Sequence, residues 1–338
     1  MADDEAVVLQ AAGREVTISS PDKVYFAERD DTKLDLCRYY LAVEEPFMAA
    51  TRDRPLLLQR FPSGAGSKGF FQKRVAPTKA APWITTTEVS TPNGTTSQAL
   101  VAVDIAHVLW AVNQGCLGFH VWPTTAADPE HADELRIDLD PGPANTFDQV
   151  REGARLTKLL FDELGIACFP KTTGNRGIHV YVRLQPRWDS YAVRSAAVAF
   201  ARELERRYPE QLTAAWWKEE RGDRIFVDFN QNAPHKTVFG AWSVRSNAHA
   251  QVSTPFAWSE LDDLEPAELT LQTVPARVAE LGDPWARASE DRQSLEPLKA
   301  WHERDTKAGL LDAPWPPQYP KMPNEPPRVA PSRAKKPA

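Results

Sequence analysis

The stretch Glu134-Leu135-Arg136-Ile137-Asp138-Leu139-Asp140-Pro141-Gly142 has the alternation of a β-strand that ends at a turn. Side chains two residues apart leave the same face of a strand, so the carboxylates of Asp138 and Asp140 start about 6–7 Å apart. Neighbouring carboxylates repel each other unless a cation lies between them, and their hard oxygen atoms suit Mg²⁺ or Mn²⁺. An isolated Asp-x-Asp more often marks only an acidic strand end. Whether this pair binds a metal therefore depends on the other motifs in the chain.

A third acid lies in a second apolar run. Asp228 is the single acid inside Arg224-Ile225-Phe226-Val227-Asp228-Phe229. An acid on such a strand is costly to bury unless it is paired or bound to a metal. A salt bridge to an arginine is one explanation. Together with Asp138 and Asp140, however, it makes three acids on two strands, which is the usual protein contribution to a two-metal phosphoryl-transfer site.

A glycine-containing loop, residues 171–181, separates two further apolar runs and reads Lys-Thr-Thr-Gly-Asn-Arg-Gly-Ile-His-Val-Tyr. Glycines let backbone N–H groups approach an anion closely, and Thr, Lys and Arg side chains donate hydrogen bonds to it. The spacing is not that of a Walker loop. The composition indicates a triphosphate cradle, with a plain hairpin as the alternative.

The charge pattern is mixed. A net charge of −6 and a pI near 5.7 do not match a protein that binds DNA through its total charge. The segment from Arg52 to Lys79, however, carries seven Lys or Arg residues against one acid, interleaved with Phe61, Phe70 and Phe71. Aromatic rings among cations can stack on bases. A DNA-binding patch is therefore predicted, with a solvated charged loop as the alternative.

Composition restricts the other classes of protein. The three cysteines, Cys37, Cys116 and Cys168, are widely spaced and indicate neither a disulfide framework nor a Cys-rich zinc site. No apolar run approaches the roughly 20 residues of a membrane helix, and the N-terminus lacks a basic signal segment. A soluble cytoplasmic protein that does not contact the membrane is expected.

Periodicity predicts alternating strands and helices, hence an α+β protein. The predicted helices span residues 32–51, 104–114, 147–164 and 190–208. The predicted strands include residues 14–18, 56–61, 83–89, 117–122 and 134–140, with a tight hairpin at Asn93-Gly94. Residues 313–338 contain nine prolines and should be extended, with Trp315 and Tyr319 indicating that the first part packs on the body.

The ordered set of motifs resembles the polymerase domain of bacterial DNA ligase D, within the archaeo-eukaryotic primase superfamily, over about residues 15–285. In chain order the motifs are Asp22-Lys23, Lys33, Phe70-Phe71-Gln72-Lys73, Gly118-Phe119-His120, Asp138 to Gly142, residues 171–181, Val227-Asp228-Phe229, Gln231-Asn232 and Trp242-Ser243-Val244-Arg245. The resemblance implies two antiparallel or mixed β-sheet lobes flanked by helices, around an RRM-like palm. The implied divisions are an N-terminal lobe (1–115), a catalytic palm (116–285) and a Pro-rich extension (286–338).

The resemblance also implies residue roles. Asp138, Asp140 and Asp228 would be catalytic and would hold two Mn²⁺ or Mg²⁺ ions. The nucleoside triphosphate would contact a second set of residues: His120, Thr173, Arg176, His179, Arg221 and Arg245. DNA would contact a third set: Lys23 and Lys33 at a downstream 5′-phosphate, and Phe70, Phe71 and Lys73 at the template. Two positions depart from the family's common residues, because Thr173 replaces Ser and Arg176 replaces Lys.

The function implied is DNA repair by a primase-polymerase that fills short gaps from nucleoside triphosphates, with ribonucleotides preferred. The extension is similar to that of stand-alone actinobacterial primase-polymerases, and no Lys-x-Asp-Gly ligase motif is present. A monomer working with a separate DNA ligase, and with Ku as a further partner, is expected. End joining and de novo priming stay open, as do a metal-dependent nuclease and a non-catalytic adaptor for DNA gaps.

Overall fold

The computed structural model describes residues 5–76 and 80–333. Two principal sheets and seven α-helices form in these residues. The strands before residue 130 are β1 (Val7–Ala11), β2 (Arg14–Ile18), β3 (Val24–Phe26), β4 (Asp31–Thr32), β5 (Pro55–Arg60), β6 (Phe70–Gln72), β7 (Thr86–Ser90), β8 (Thr96–Val101) and β9 (Cys116–Val121). The later strands are β10 (Ala132–Asp140), β11 (Phe169–Thr172), β12 (Ile178–Trp188), β13 (Leu212–Thr213), β14 (Ile225–Asp228) and β15 (Val238–Phe239).

The helices are α1 (Lys33–Ala42), α2 (Glu44–Thr51), α3 (Ile105–Asn113), α4 (Phe147–Glu163), α5 (Ser190–Arg207), α6 (Val274–Leu281) and α7 (Glu296–Lys307). None of the helices in residues 5–76 and 80–333 is long and apolar enough to cross a lipid bilayer. The predicted helices at 147–164 and 190–208 are confirmed as α4 and α5. Thr146 begins α4 with a capping box, in which its hydroxyl accepts from the Gln149 N–H.

One sheet has the order β11-β12-β10-β14-β13, with β10 antiparallel to both of its neighbours. Helices α4 and α5 pack against this sheet and against each other. Ile137 and Leu139 of β10 are fully buried, whereas Asp138 and Asp140 alternate with them on the opposite side of the strand. The α+β fold class is confirmed, and the helices leave one side of β10 for polar groups.

The second sheet has the order β15-β9-β5-β8-β7, with β6 paired to β5. Buried apolar side chains from both sheets form one continuous core, so the two sheets are packed together. The predicted hairpin is present between β7 and β8, where Gly94 has a φ of 76°.

The single helix predicted over residues 32–51 is wrong. The structure has α1 and α2 separated at Val43. Pro46 explains the break, because a proline inside a helix lacks the N–H that would bond to Ala42 and its ring clashes with that carbonyl. The strand predicted at 83–89 begins later, at Thr86.

The proline-rich segment packs on the body over its first part, as predicted. Trp315 and Tyr319 are 4% and 6% exposed and pack around Ala233. Helices α6 and α7, which periodicity did not predict, precede this segment. Most of the basic end, residues 334–338, lies outside the described residues.

Candidate active site

The three acids come from two neighbouring antiparallel strands. Asp138 lies directly opposite Asp228 in the register of β10 and β14, and Asp140 follows two residues later on the same side of β10. Leu139 pairs with Val227 between them, and both are fully buried. The alternation predicted for β10 therefore holds, and the pairing of β10 with β14 adds the third acid.

The acids are held in a partly desolvated group. Burial raises the pKa of Asp138 to about 6 and the pKa of Asp228 to about 7, and the neighbouring Asp138 raises the pKa of Asp228 further. The pKa of Asp140 is also raised, first by burial and then by Asp138. Gln231 Nε2 donates to an oxygen of Asp228 at 2.9 Å and to one of Asp138 at 3.4 Å. Such a group is stabilised by a proton or by a cation.

The donor set suits a divalent cation. Among residues 5–76 and 80–333, no three His, Cys, Asp or Glu side chains converge as a preformed metal cluster. Three carboxylates with raised pKa values are nevertheless hard oxygen donors with a charge that a cation would offset. The chemistry of Asp138, Asp140 and Asp228 therefore fits Mg²⁺ or Mn²⁺.

A polar cavity of about 500 Å³ opens beside the acids, and its lining includes Asp138, Asp140, Thr173, Arg176, His179 and Arg245. Its cationic wall is built by the glycine-containing loop and by Arg245. The Arg245 Nε–H donates to the Thr173 carbonyl at 2.8 Å, and its guanidinium lies 3.6 Å from the Phe239 ring centroid. Acids on one side and guanidinium groups on the other suit a ligand that carries phosphates and a metal.

The loop backbone is close-packed where it passes β10. Gly174 has a φ of 71°, and a Cβ on Gly177 would lie 2.6 Å from the Leu139 carbonyl oxygen. Thr173 Oγ1 accepts from the Gly177 N–H at 3.1 Å. Arg176 is exposed and donates to the Asn145 carbonyl at 2.6 Å. The loop is therefore shaped by its glycines and keeps a cation at the cavity mouth.

Two histidines lie near this region: His179 is buried and His120 is partly buried. His179 Nε2 lies 3.4 Å from an Asp138 oxygen, while its Nδ1 is buried without a hydrogen-bond partner in the part of the chain that is described. His120 Nε2 is also buried without a hydrogen-bond partner in the described residues. The His120 ring lies edge-on to Phe71 and Phe239, with ring centroids 5.2 Å apart in each case. Burial lowers the pKa of His120 to about 3 and the pKa of His179 well below its usual value. Burial therefore favours the neutral form of both rings, and each has one nitrogen without a hydrogen-bond partner in the described residues.

Arg221 is close enough to Asp140 for its charge to act on that carboxyl, but it is not part of the cavity lining. Its guanidinium is 3.6 Å from the Phe226 ring centroid and donates to the Trp216 carbonyl at 2.8 Å. The charge of Arg221 lowers the pKa of Asp140, although burial and Asp138 outweigh it. Of the residues predicted to bind the nucleotide, Thr173, Arg176, His179 and Arg245 line the cavity beside the acids, and Arg221 acts electrostatically on Asp140.

The sequence motifs include Lys171 as one donor of the glycine-containing loop and Gln231 as a neighbour of Asp228, but they place neither residue against the acids. Lys171 is fully buried, its Nζ donates to Ser253 Oγ at 2.5 Å, and its charge lowers the pKa of Asp138. Gln231 contacts two of the acids, as described above. Lys171 is the first residue of the glycine-containing loop, and Gln231 follows Asp228 by three residues. Their closeness in sequence to predicted site residues could therefore have indicated that they belong to the site.

The residues predicted to contact DNA fall into two groups. Phe70 and Phe71 of β6 are 47% and 52% exposed, Lys73 is exposed nearby, and the Phe71 ring contacts His120. Lys79 lies outside the described residues. The first group is therefore exposed, and it is linked to the candidate nucleotide-binding residues through His120.

The second group is Lys23 and Lys33, which differ in solvent exposure. Lys23 is exposed, and its Nζ donates to the Pro62 carbonyl at 2.7 Å. Lys33 is only 5% exposed, and its Nζ donates to the Ser19 carbonyl at 2.5 Å. The Lys33 ammonium is therefore largely covered by protein, and the role of both lysines stays a prediction.

Three acids on adjacent strands, flanked by a cationic loop, have the chemistry of a site that suits an enzyme acting on phosphates with a divalent cation. Residues 32–285 match the model of the LigD primase-polymerase domain. The chain belongs to this family, whose members are metal-dependent nucleotidyltransferases.

Similarity to individual proteins supports membership of this family. The LigD multifunctional non-homologous end joining DNA repair protein of Mycobacterium tuberculosis is 32% identical over 83% of the chain, and the LigD protein of Pseudomonas aeruginosa is 34% identical over 85%. The chain spans 38% and 34% of the lengths of these relatives. The polymerase domain of Mycobacterium tuberculosis ligase D, solved in complex with DNA, superposes with a TM-score of 0.76 at 31% identity, covering 82% of this chain and 99% of that one.

Proposed function

We propose that the chain is a DNA repair primase-polymerase that adds nucleotides from nucleoside triphosphates to a primer 3′-hydroxyl, copying a template across a short gap. The observation that carries the proposal is the register of Asp138 against Asp228, with Asp140 on the same strand, beside a cavity lined by Thr173 and Arg245. Acids facing a cationic cradle suit the joining of a triphosphate to a hydroxyl through metal ions.

In this mechanism Asp138 and Asp140 would hold two Mg²⁺ or Mn²⁺ ions, and Asp228 would complete the site on the primer side. Such ions activate a hydroxyl nucleophile and offset the charge of the leaving pyrophosphate. Gln231 keeps the carboxylates of Asp138 and Asp228 together through its amide. These contacts orient the acids before any ligand binds.

The triphosphate would occupy the cavity beside the acids. Arg176 and Arg245 would donate to its oxygens, as would the hydroxyl of Thr173. His179 and His120 are neutral, so their unpartnered nitrogens can donate or accept one hydrogen bond with the nucleotide. Arg221, whose charge acts on Asp140, would offset charge on the nucleotide or on the acids.

The DNA would lie across the exposed aromatic pair. Phe70 and Phe71 present rings for stacking on template bases, with Lys73 at the phosphate backbone. Lys23 and Lys33 would contact the 5′-phosphate downstream of the gap. Ribonucleotide preference, a monomeric state and cooperation with a separate DNA ligase and with Ku belong to the same proposal. The end-joining names of the relatives support its assignment to DNA repair.

The test is extension of a labelled primer on a gapped duplex with a downstream 5′-phosphate, in Mn²⁺ or Mg²⁺, with either rNTPs or dNTPs. The double variant Asp138→Asn/Asp140→Asn should not extend the primer. Asp148→Asn, an exposed acid in the first turn of α4, is the matched control and should extend it normally.

The remaining outcomes separate the alternatives. Shortened primers that depend on Asp138 would indicate a nuclease. Gap binding without extension by the folded wild type would indicate an adaptor. Extension across two ends held only by short complementary overhangs would indicate end joining, and products formed without a primer would indicate de novo priming.

A further inference from the structure

A segment outside the matched residues 32–285 lies behind the acids. This segment, residues 312–333, is named the strap. It contains one short 3-10 turn, Pro331–Arg333, and is otherwise without regular secondary structure. Trp315 and Tyr319 anchor it on Ala233, and the Tyr319 hydroxyl donates to the Pro234 carbonyl. The strap therefore packs on the loop of residues 229–234, which begins immediately after Asp228.

Arg194 of α5 joins the strap to this loop. Its side chain is fully buried, and its Nε–H donates to Asn230 Oδ1 at 2.8 Å. The other nitrogens donate to the Asp312 carboxylate at 3.0 Å and to the Ala313 carbonyl at 2.9 Å. The guanidinium lies 3.8 Å from the Trp315 ring centroid. A buried guanidinium is stable only when its donors are satisfied, so Arg194 depends on the strap for its partners.

The contacts continue to the acids through Asn230. Its Nδ2 donates to the Pro314 carbonyl at 3.0 Å, and its backbone N–H donates to Asp228 Oδ1 at 2.8 Å. The next residue, Gln231, bonds both Asp228 and Asp138. Two hydrogen bonds thus separate the backbone of the strap from the carboxylate of Asp228.

The strap also reaches the turn before Arg221. The Ser332 N–H and hydroxyl donate to the Glu219 carboxylate at 3.0 and 2.8 Å. Within the strap, the buried carboxylate of Glu325 accepts from the Trp315 N–H at 2.8 Å and the Met322 N–H at 3.0 Å. The strap therefore has its own internal bonds and contacts two loops that flank the acids.

We propose that the strap is a positioning element of the active site, which holds the loop of residues 229–234 so that Asp228 and Gln231 keep the geometry needed to bind metal. The inference rests on the proposed function, because it assigns a role in metal binding. Partners behind a metal ligand affect affinity strongly, and losing one commonly costs about 10- to 100-fold.

The test compares two full-length variants. Asp312→Asn removes the charge that Arg194 bonds in the strap. Asp305→Asn is the matched control, because Asp305 is also buried, also lies after residue 285 and also pairs with an α5 arginine, Arg206, but belongs to α7. Mn²⁺ binding is measured by the electron paramagnetic resonance signal of free Mn²⁺, and backbone motion by hydrogen–deuterium exchange of the peptide that contains residues 229–234.

Asp312→Asn should weaken Mn²⁺ binding about tenfold and speed exchange in the loop, whereas Asp305→Asn should do neither. Primer extension by Asp312→Asn at saturating Mn²⁺ should stay within about threefold of wild type, because the acids themselves are present. Tyr319→Phe, which removes one hydroxyl from the strap, supplies a milder variant if Asp312→Asn does not fold, and should shift both readouts in the same direction.

Equal Mn²⁺ binding and equal loop exchange in Asp312→Asn and Asp305→Asn, or in Tyr319→Phe and wild type, would overturn the inference while leaving the polymerase proposal intact. A folded wild type that binds no Mn²⁺ through Asp138 and extends no primer would overturn the polymerase proposal, and the role of the strap with it. The two failures are therefore distinguishable.

Discussion

Glu134 lies on the same strand as Asp138. A substitution of Glu134 should change the folding stability of the protein without changing its catalytic activity. Its side chain is 3% exposed and contacts three arginines: Arg136 at 2.7 Å, Arg183, and Arg54 at 3.5 Å. Burial alone would raise the pKa of Glu134, but the three guanidinium groups outweigh it and hold the pKa below its usual value. The carboxylate is therefore charged in the folded protein and offsets several buried cations.

Replacing Glu134 with Gln removes the negative charge and leaves Arg136 and Arg183 buried without their counter-ion. Removing one partner of a buried ion pair costs about 3–5 kcal/mol of unfolding free energy. For a chain of this size, that loss lowers Tm by about 4–7 °C. Four residues of strand put Asp138 about 13 Å away, so the catalytic acids should keep their geometry.

The assay is urea unfolding in EDTA at pH 7.5, with Asp138→Asn as the matched variant on the same strand. Glu134→Gln should lose about 3–5 kcal/mol yet extend primers at 20 °C within about threefold of wild type. Asp138→Asn should lose primer extension but not stability, because burial raises the pKa of Asp138 to about 6 and the charged carboxylate is already unfavourable there.

The contribution of Glu134 to the free energy of unfolding changes with pH in a definite direction. Because folding lowers the pKa of Glu134, its stabilisation is fully present above the unfolded pKa of about 4.3 and is lost as pH falls below it. The difference between wild type and Glu134→Gln should be constant from pH 6 to 8 and shrink below about pH 4. A Glu134→Gln protein within about 1 kcal/mol of wild type at pH 7.5 would refute the reasoning.

Three further predictions concern ligands. Gly177→Ala places a Cβ 2.6 Å from the Leu139 carbonyl, so the loop must shift, and such overpacking costs about 1–3 kcal/mol of stability. Because the loop lines the cavity, the KM for nucleotide should rise about tenfold, and an unchanged KM would contradict the prediction. Phe71→Ala should weaken binding of gapped DNA about tenfold by fluorescence anisotropy, whereas Phe71→Trp should preserve it; equal affinities would exclude stacking. Lys23→Ala should abolish the preference for a downstream 5′-phosphate over a 5′-hydroxyl in the gap-extension rate, and a retained preference would assign the contact elsewhere.

The amino-acid sequence alone determined the features that depend on short-range periodicity. The alternation around Asp138 and Asp140 indicated a strand with both acids on one side, and the apolar spacing of residues 147–164 and 190–208 indicated α4 and α5. Both patterns follow from the repeat of a single element and need no distant contact. The helix predicted over 32–51 was wrong because the effect of Pro46 on the preceding turn outweighed the apolar spacing.

Only the tertiary structure decided which distant residues meet. The register of Asp138 against Asp228 joins positions 90 residues apart, and the burial of Lys33 against Ser19 depends on packing that periodicity does not describe. The same holds for Arg194, whose partners lie in the strap about 120 residues further along the chain. Local patterns specify which face of an element a side chain occupies, whereas strand register and core packing specify what that face meets.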